Sequence, residues 1–402
     1  MAKVLLISNG HGEDNDAGFI IEALRRLRPE LELAALPIVG QGAEYRRRDV
    51  PIIGPVADLP SGGFTKTNRL RLLGDAAGGL VGLTIGQIRA ARRHRAEFDL
   101  VLGIGDGVAQ SFAAITGRPF IAFITSLSAL YEDHLTLEPI LRWEVRRDRC
   151  LALVTRDLFT ARNLTAQGYA KVRFGGLPST DSIVPTGRDL AVPKGARMVA
   201  LLPGSRPPEA DRNLATLLRL AEKASALRGD LAFRAALVPR LRDRLGTLAE
   251  ASGWALDGDR LTRGAATVIC PPDAFADILT RSDAVAAMAG LAAEQAVVAG
   301  KPVIQIPGTG PQYTWKFAEA QTRLLGVNAR LVGTRAAGDA ELDQAARLLS
   351  ETLDDADYLA RCATEGPRRL GTPGGAERIA RMVLEVLDRG RLDADDLGQF
   401  EA

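Results

Sequence analysis

The chain repeats one pattern from end to end: a short apolar run, a turn, then apolar residues at helical spacing. Short runs that are mainly apolar suit strands buried on both faces, and parallel sheets with crossover helices bury strands that way. In the first half such runs fall at 3–8, 98–104, 119–124 and 151–155. In the second they fall at 198–203, 231–237, 267–271, 283–288 and 302–306. Ala17, Ile20, Ile21, Leu24 and Leu27 follow the first run at a 3.6 period; Leu214, Leu217, Leu218, Ala221 and Ala224 open the second half likewise. Between the halves, residues 178–197 carry prolines and glycines but no sustained period, which predicts an interdomain linker. The reading is α/β: two doubly wound, Rossmann-like domains, 1–177 and 198–373, facing each other across a cleft. Ile379, Met382, Val383, Val386 and Leu387 predict one more helix over 374–390, before a frayed acidic tail at 391–402.

Composition narrows the class. A length of 402 residues suits two domains better than one core. No apolar run approaches the roughly 18–20 residues of a membrane span, and MAKVLLISNG reads as a strand, not a signal peptide. Cys150, Cys270 and Cys362 lie far apart without metal-ligand spacing, which predicts a reducing, cytoplasmic setting and no structural zinc. With only His11, His94 and His134 as imidazoles, no metal site is expected. A net charge of +2 gives no nucleic-acid signal.

Ligand loops in such domains lie just after the strands. The sharpest is LLPGSRPPEADRN at 201–213, between a strand and a helix. Gly204 lets backbone approach an anion, Ser205 can cap the helix, and the helix N-terminus favours phosphate. Arg206 adds a forked cation suited to a diphosphate. Glu209 either reaches back to the first helical turn or binds a sugar hydroxyl. The second element spans 288–326: Gly290 and Leu291 open a small-residue helix carrying Glu294 and Gln295, and GTGPQYT follows the next run. A carboxylate one turn into a helix can accept both hydroxyls of a ribose, and Gln312, Tyr313 and Thr314 suit sugar hydroxyls.

These two motifs resemble those of the lipid-A-disaccharide synthases and their relatives, inverting glycosyltransferases of the two-Rossmann GT-B type. LLPGSR followed by Glu209 resembles that group specifically. The element at 290–295 is similar also to the N-acetylglucosaminyltransferases that act on undecaprenyl-linked muramoyl peptide and to diacylglycerol glycosyltransferases. FGGLPSTD at 174–181 and GGAERIA at 374–380 extend the resemblance over most of the chain, the latter resembling the start of a C-terminal helix that returns to the first domain. The resemblance implies a uridine-diphosphate sugar held in the second domain by Gly204, Ser205, Arg206, Gly290, Leu291, Glu294 and Gln295, with the sugar meeting Gln312. It implies a substrate, not a cofactor, and metal-independent transfer.

The first-domain loops depart from the family. SNGHGEDNDAG at 8–18 stands where the synthases carry Gly-Glu-x-Ser-Gly-Asp, and places Gly10, His11, Gly12, Glu13 and Asp14 on the acceptor side; Asp14 or Asp16 has an adequate alternative role in helix capping. GIGDG at 103–107 stands near the family's Gly-Ile-Asp-Ala-Pro-Asp with the register off by one. Inverting transfer needs a group to take the acceptor's proton; Asp106 and His11 are the candidates, Asp106 placed first. Ser126, Ser128, Tyr131, Glu132 and Asp133 follow the next strand as acceptor-side residues. Residues 61–96 mix leucines, isoleucines and arginines and predict peripheral contact with an anionic membrane face, hence a lipid-linked acceptor. Self-association is left open.

Two alternatives share the fold: an epimerase acting on the nucleotide sugar alone, and a non-catalytic nucleotide-sugar-binding protein. A dinucleotide-dependent oxidoreductase is excluded because Gly10-His11-Gly12 meets Asn15 where the fingerprint needs glycine. A P-loop nucleotidase is excluded because Gly300-Lys301 meets Pro302.

Overall fold

In the structure, a computed structural model that describes residues 1–57, 79–310 and 312–393, the chain divides into two compact units. The first comprises residues 1–181 and 373–402, the second 182–372. Strands are numbered along the chain, as are helices of eight residues or more.

The first unit is built on β1 (Lys3–Ser8), β2 (Glu32–Pro37), β3 (Leu100–Ile104), β4 (Phe120–Phe123), β5 (Cys150–Thr155) and β6 (Val172–Phe174). They form one parallel sheet in the order β2-β1-β3-β4-β5-β6. The order reverses between β1 and β3, where Ser8 is in register with Ile104. Helices α1 (His11–Leu27), α2 (Leu80–Arg93), α3 (Gly107–Ile115), α4 (Pro139–Arg146) and α5 (Leu158–Ala166) cover the faces. One core joins Leu5, Val101 and Phe120 to Ala91, Phe112 and Leu141 of α2, α3 and α4; the other joins Leu6 and Phe123 to Ile20 and Leu24 of α1.

The second unit carries β7 (Arg197–Leu202), β8 (Leu231–Ala235), β9 (Ala255–Asp257), β10 (Arg260–Arg263), β11 (Ala266–Ile269), β12 (Ala284–Ala287), β13 (Val303–Gln305) and β14 (Ala329–Leu331). Its order is β14-β13-β12-β7-β8-β11-β10-β9, parallel as far as β11 and then an antiparallel edge. Here the reversal falls between β7 and β12, with Leu202 opposite Ala287. The longer helices are α6 (Glu209–Leu227), α7 (Leu291–Val298), α8 (Trp315–Leu325), α9 (Asp339–Asp354) and α10 (Ala356–Leu370). The expected helical spacing on α6 is its core face, with Leu214, Leu217, Leu218 and Ala221 all buried.

The last helix, α11 (Gly375–Arg389), belongs to the first unit, packing Ile379, Ala380 and Val383 into the same core as α1. Asp181 caps its start by accepting backbone N–H groups from Gly374, Gly375 and Ala376. The residues expected as a linker divide between the units. Pro178–Ser182 forms a short 3-10 turn whose Ser179 N–H donates to buried Asp16. Further on, Asp277 accepts from Thr186, Gly187 and Arg188, and the guanidinium of buried Arg234 donates to the carbonyls of Leu190 and Ala191. Burial pushes that guanidinium down to about 10, and its neutralising partners are carbonyl dipoles. Most of the expected linker is thus bonded to the second unit.

Of the segment 61–96 read as a membrane contact, residues 61–78 lie outside the described residues, and α2 begins at Leu80.

Candidate functional site

In the second unit the loops after β7, β12 and β13 lie on three neighbouring strands at the point where strand order reverses, where open α/β sheets bind ligands. Gly204 has φ of +90°, which favours glycine, and an added Cβ would lie 3.3 Å from the Met288 carbonyl. Asn213 holds these loops together: its Nδ2 donates to the carbonyls of Pro203 and Met288 at 3.0 and 3.2 Å. Gln321 of α8 donates to the Gly290 carbonyl at 2.7 Å. Arg206 Nη1 lies 3.3 Å from Gln312 Oε1, so the expected cation and the expected sugar reader meet. Asn213 and Gln321 were not expected from the sequence; Asn213 stands one turn into the helix after its loop, and Gln321 reaches the Gly290 loop from α8.

Other assignments shift. Ser205 is exposed and does not cap α6, whose N-cap is Pro208. Glu209 is only 5% exposed and reaches neither back along its helix nor outward. Its carboxylate accepts the backbone N–H of Tyr313 at 2.6 Å and of Gln312 at 3.1 Å, and packs against Gly310. Glu209 therefore ties the first loop to the third. Glu294 and Gln295 are buried on α7, and Gln295 Nε2 donates to Ser182 Oγ at 2.9 Å. Leu291 and Gly290 are half-buried at the start of α7, with Phe317 against Gly290.

In the first unit the loops after β1 and β3 again flank the reversal. Asp106 is the N-cap of α3: its Oδ1 accepts the Val108 N–H at 2.9 Å and Asn9 Nδ2 at 2.6 Å. The Glu13 side chain packs against Gly10 and Gly105. His11 is exposed at the first turn of α1, its ring against Gly40. The structure thus brings Asn9, Gly10, Glu13, Gly105 and Asp106 together, with His11 and Gly12 beside them on the same loop.

Asp14 does not join this group. It is 2% exposed, accepts a 2.5 Å hydrogen bond from Ser8 Oγ, and Ser8 in turn accepts from Tyr45. Asp16 is also interior, accepting from Thr125 Oγ1 at 2.7 Å and Ser179 N–H at 3.1 Å. Neither caps α1. Burial pushes both carboxyls up to about 7, so each holds a proton for part of the time near neutrality and serves as an internal hydrogen-bonding group. Ser126 is exposed after β4, while Ser128 is buried against Asp157.

The fold is the two-domain GT-B type. A calicheamicin glycosyltransferase structure matches with TM-score 0.64 at 14% identity, covering 97% of this chain and 99% of that one. An S. aureus MnaA–UDP structure matches at 0.60 and 14%, covering 98% and 100%, and a Neisseria meningitidis UDP-GlcNAc 2-epimerase bound to UDP-GlcNAc at 0.55 and 15%, covering 96% and 100%. No family profile matches the chain. Among curated proteins, a lipid-A-disaccharide synthase of Geobacter sulfurreducens is 28% identical over 235 residues, 54% of this chain and 58% of that protein. Another of Myxococcus xanthus is 22% identical over 408 residues, 97% of this chain and 99% of the other. The chain is therefore glycosyltransferase-like, a divergent relative of the lipid-A-disaccharide synthases.

Proposed function

We propose that the chain is an inverting, metal-independent glycosyltransferase that moves a hexose or N-acetylhexosamine from a uridine-diphosphate sugar to a lipid-linked acceptor at the cytoplasmic membrane face. The observation that carries the donor half is the meeting of Gly204, Arg206, Gly290 and Gln312 at the strand reversal of the second unit. Backbone amides and a guanidinium there suit a diphosphate, and Glu294 one turn into α7 suits a ribose. Calorimetry with uridine diphosphate tests it. Arg206→Ala and Glu294→Ala are each expected to weaken binding by about tenfold or more. Unchanged affinity in both would remove the donor site from these loops.

The acceptor half draws support from the surface of the first unit. Helices α2, α3 and α4 pack in a row on one face of the sheet. They expose Val81 and Ile85, Val108, and Ile140 and Trp143, with Trp143 57% exposed. Arg89, Arg92, Arg93, Arg142 and Arg146 are exposed on the same helices. Apolar side chains beside arginines suit an interface rich in anionic lipid. Among the described residues, no helix is long and apolar enough to cross a membrane. The protein is expected to float with vesicles containing anionic lipid, less so at high salt, and Trp143→Ser combined with Ile85→Ser to weaken this several-fold. Flotation that ignores both lipid charge and the double substitution would sink the surface assignment.

The epimerase reading predicts conversion of the nucleotide sugar without any lipid. Incubating donor alone and following its sugar by NMR separates the two activities.

A further inference from the structure

Asn9 is the residue for which the sequence offered no role. It directly follows β1, and its side chain crosses to the loop after the neighbouring strand β3. There Nδ2 donates to Asp106 Oδ1, the oxygen that already accepts the Val108 N–H. Two donors on one oxygen fix the plane of the carboxylate and leave Oδ2 with no hydrogen-bond donor among the described residues.

The space for this contact depends on Gly105. Its φ of +137° lies where side-chain-bearing residues are strained, and an added Cβ would overlap Asn9 Oδ1. Position 105 is also the extra residue by which GIGDG departs from the related Gly-Ile-Asp pattern. The shift of register and the Asn9 contact are thus one arrangement: the added glycine opens the place that Asn9 fills. Asn9 Oδ1 is itself buried without a partner, so the amide is held there at a cost in solvation. Such a cost is common where orientation matters more than stability.

We infer that Asn9 is a positioning residue for the transfer reaction, holding the Asp106 carboxylate so that Oδ2 faces the acceptor hydroxyl. The inference rests on the transferase reading and on Asp106 as base, and extends it to a residue of the first acceptor-side loop, 8–18, that had no role there. In the step itself, Oδ2 takes the hydroxyl proton as the acceptor oxygen bonds the sugar's anomeric carbon. The bond from that carbon to the diphosphate breaks, and the nucleotide leaves with the electron pair. The other charged groups facing this loop are Glu13, packed against Gly105, and Glu138, whose Oε2 would lie 3.3 Å from a Cβ at Gly107. An uncharged amide between carboxylates can donate to Asp106 without adding to their repulsion.

Asn9→Ala and Asn9→Asp test this, with turnover measured against pH and the Asp106 carboxyl followed by carbon-13 NMR, assigned by its loss in Asp106→Asn. For Asn9→Ala, kcat is expected to fall about tenfold or more with donor KM unchanged, and the Asp106 carboxyl resonance to move as it loses the Asn9 hydrogen bond. For Asn9→Asp, two carboxylates share a site, so the acidic limb of the pH profile moves upward while the melting temperature measured at low pH stays near that of the unaltered chain. Equal turnover and an unmoved Asp106 signal in Asn9→Ala overturn the inference. A fall in kcat with melting temperature lowered and the Asp106 signal unmoved also overturns it, since the effect is then structural. A chain that binds uridine diphosphate yet turns over no donor sinks the transferase reading and this inference together; the unmoved signal alone sinks only the inference.

Discussion

Asp106→Asn is expected to lower transfer by roughly a hundredfold to ten-thousandfold, the range removed with a general base, while uridine diphosphate still binds. The substitution is close to isosteric. An asparagine Oδ1 still accepts the Val108 N–H as N-cap of α3 and still accepts from Asn9, so the loop keeps both ties. What disappears is the capacity of the second oxygen to take a proton. His11→Ala is the necessary comparison, because His11 lies on the neighbouring loop and is exposed to solvent. Loss of transfer in Asp106→Asn with near-normal activity in His11→Ala assigns the proton to the carboxylate. The reverse pattern would pass the role to the imidazole. Normal turnover in both would mean that neither is the base, and the acceptor would have to lose its proton elsewhere.

The residues that carry this argument were legible to different degrees. The sheets were readable because a parallel strand buried on both faces reads as a near-continuous apolar run, and between their end residues β1, β3, β7 and β12 do. Strands that escaped are short or exposed. All three residues of β9 lie open to solvent, and β14 is half-buried, so neither carries a period that sequence could reveal. Glu32–Pro37 is a buried strand that was not among the expected runs, although it is apolar from Leu33 onward. The glycine loops were readable as loops, since Gly204 and Gly105 stand where φ is positive. Carboxylates were harder. In a glycine-rich loop Asp14 and Asp16 look like site residues, yet Asp14 lies three residues before buried Ala17 and Asp16 four before buried Ile20. Both stand on the inward face of α1, and the apolar period continued back one turn contains that signal. No period reveals Asn9, because its role depends on which two strands become neighbours.

Glu209→Ala is expected to cost stability first and donor affinity as a consequence. Removing the carboxylate leaves the Gln312 and Tyr313 N–H groups without their acceptor. A buried donor left unpaired costs about 1–3 kcal/mol, and Tyr313 is 3% exposed. Gln312 is exposed and its N–H can turn to water, so with the Tyr313 N–H unpaired the melting temperature of the second unit should drop by about 2–10 °C. The loop from Gly308 then loses its tie to the start of α6, and Gln312 is no longer held 3.3 Å from Arg206. Affinity for the complete nucleotide sugar should fall about tenfold, whereas affinity for uridine diphosphate, which lacks the sugar that Gln312 would read, should change less. Glu209→Gln keeps one carbonyl oxygen and is expected to recover part of both losses. The alternative expectation, a carboxylate that binds a sugar hydroxyl directly, predicts the opposite order: a normal melting temperature, and weakened sugar recognition that glutamine does not restore. Measuring melting and both affinities on the two variants decides between a tie within the protein and a contact with the donor. The two bonds to backbone N–H groups and the contact with Gly310 favour the tie.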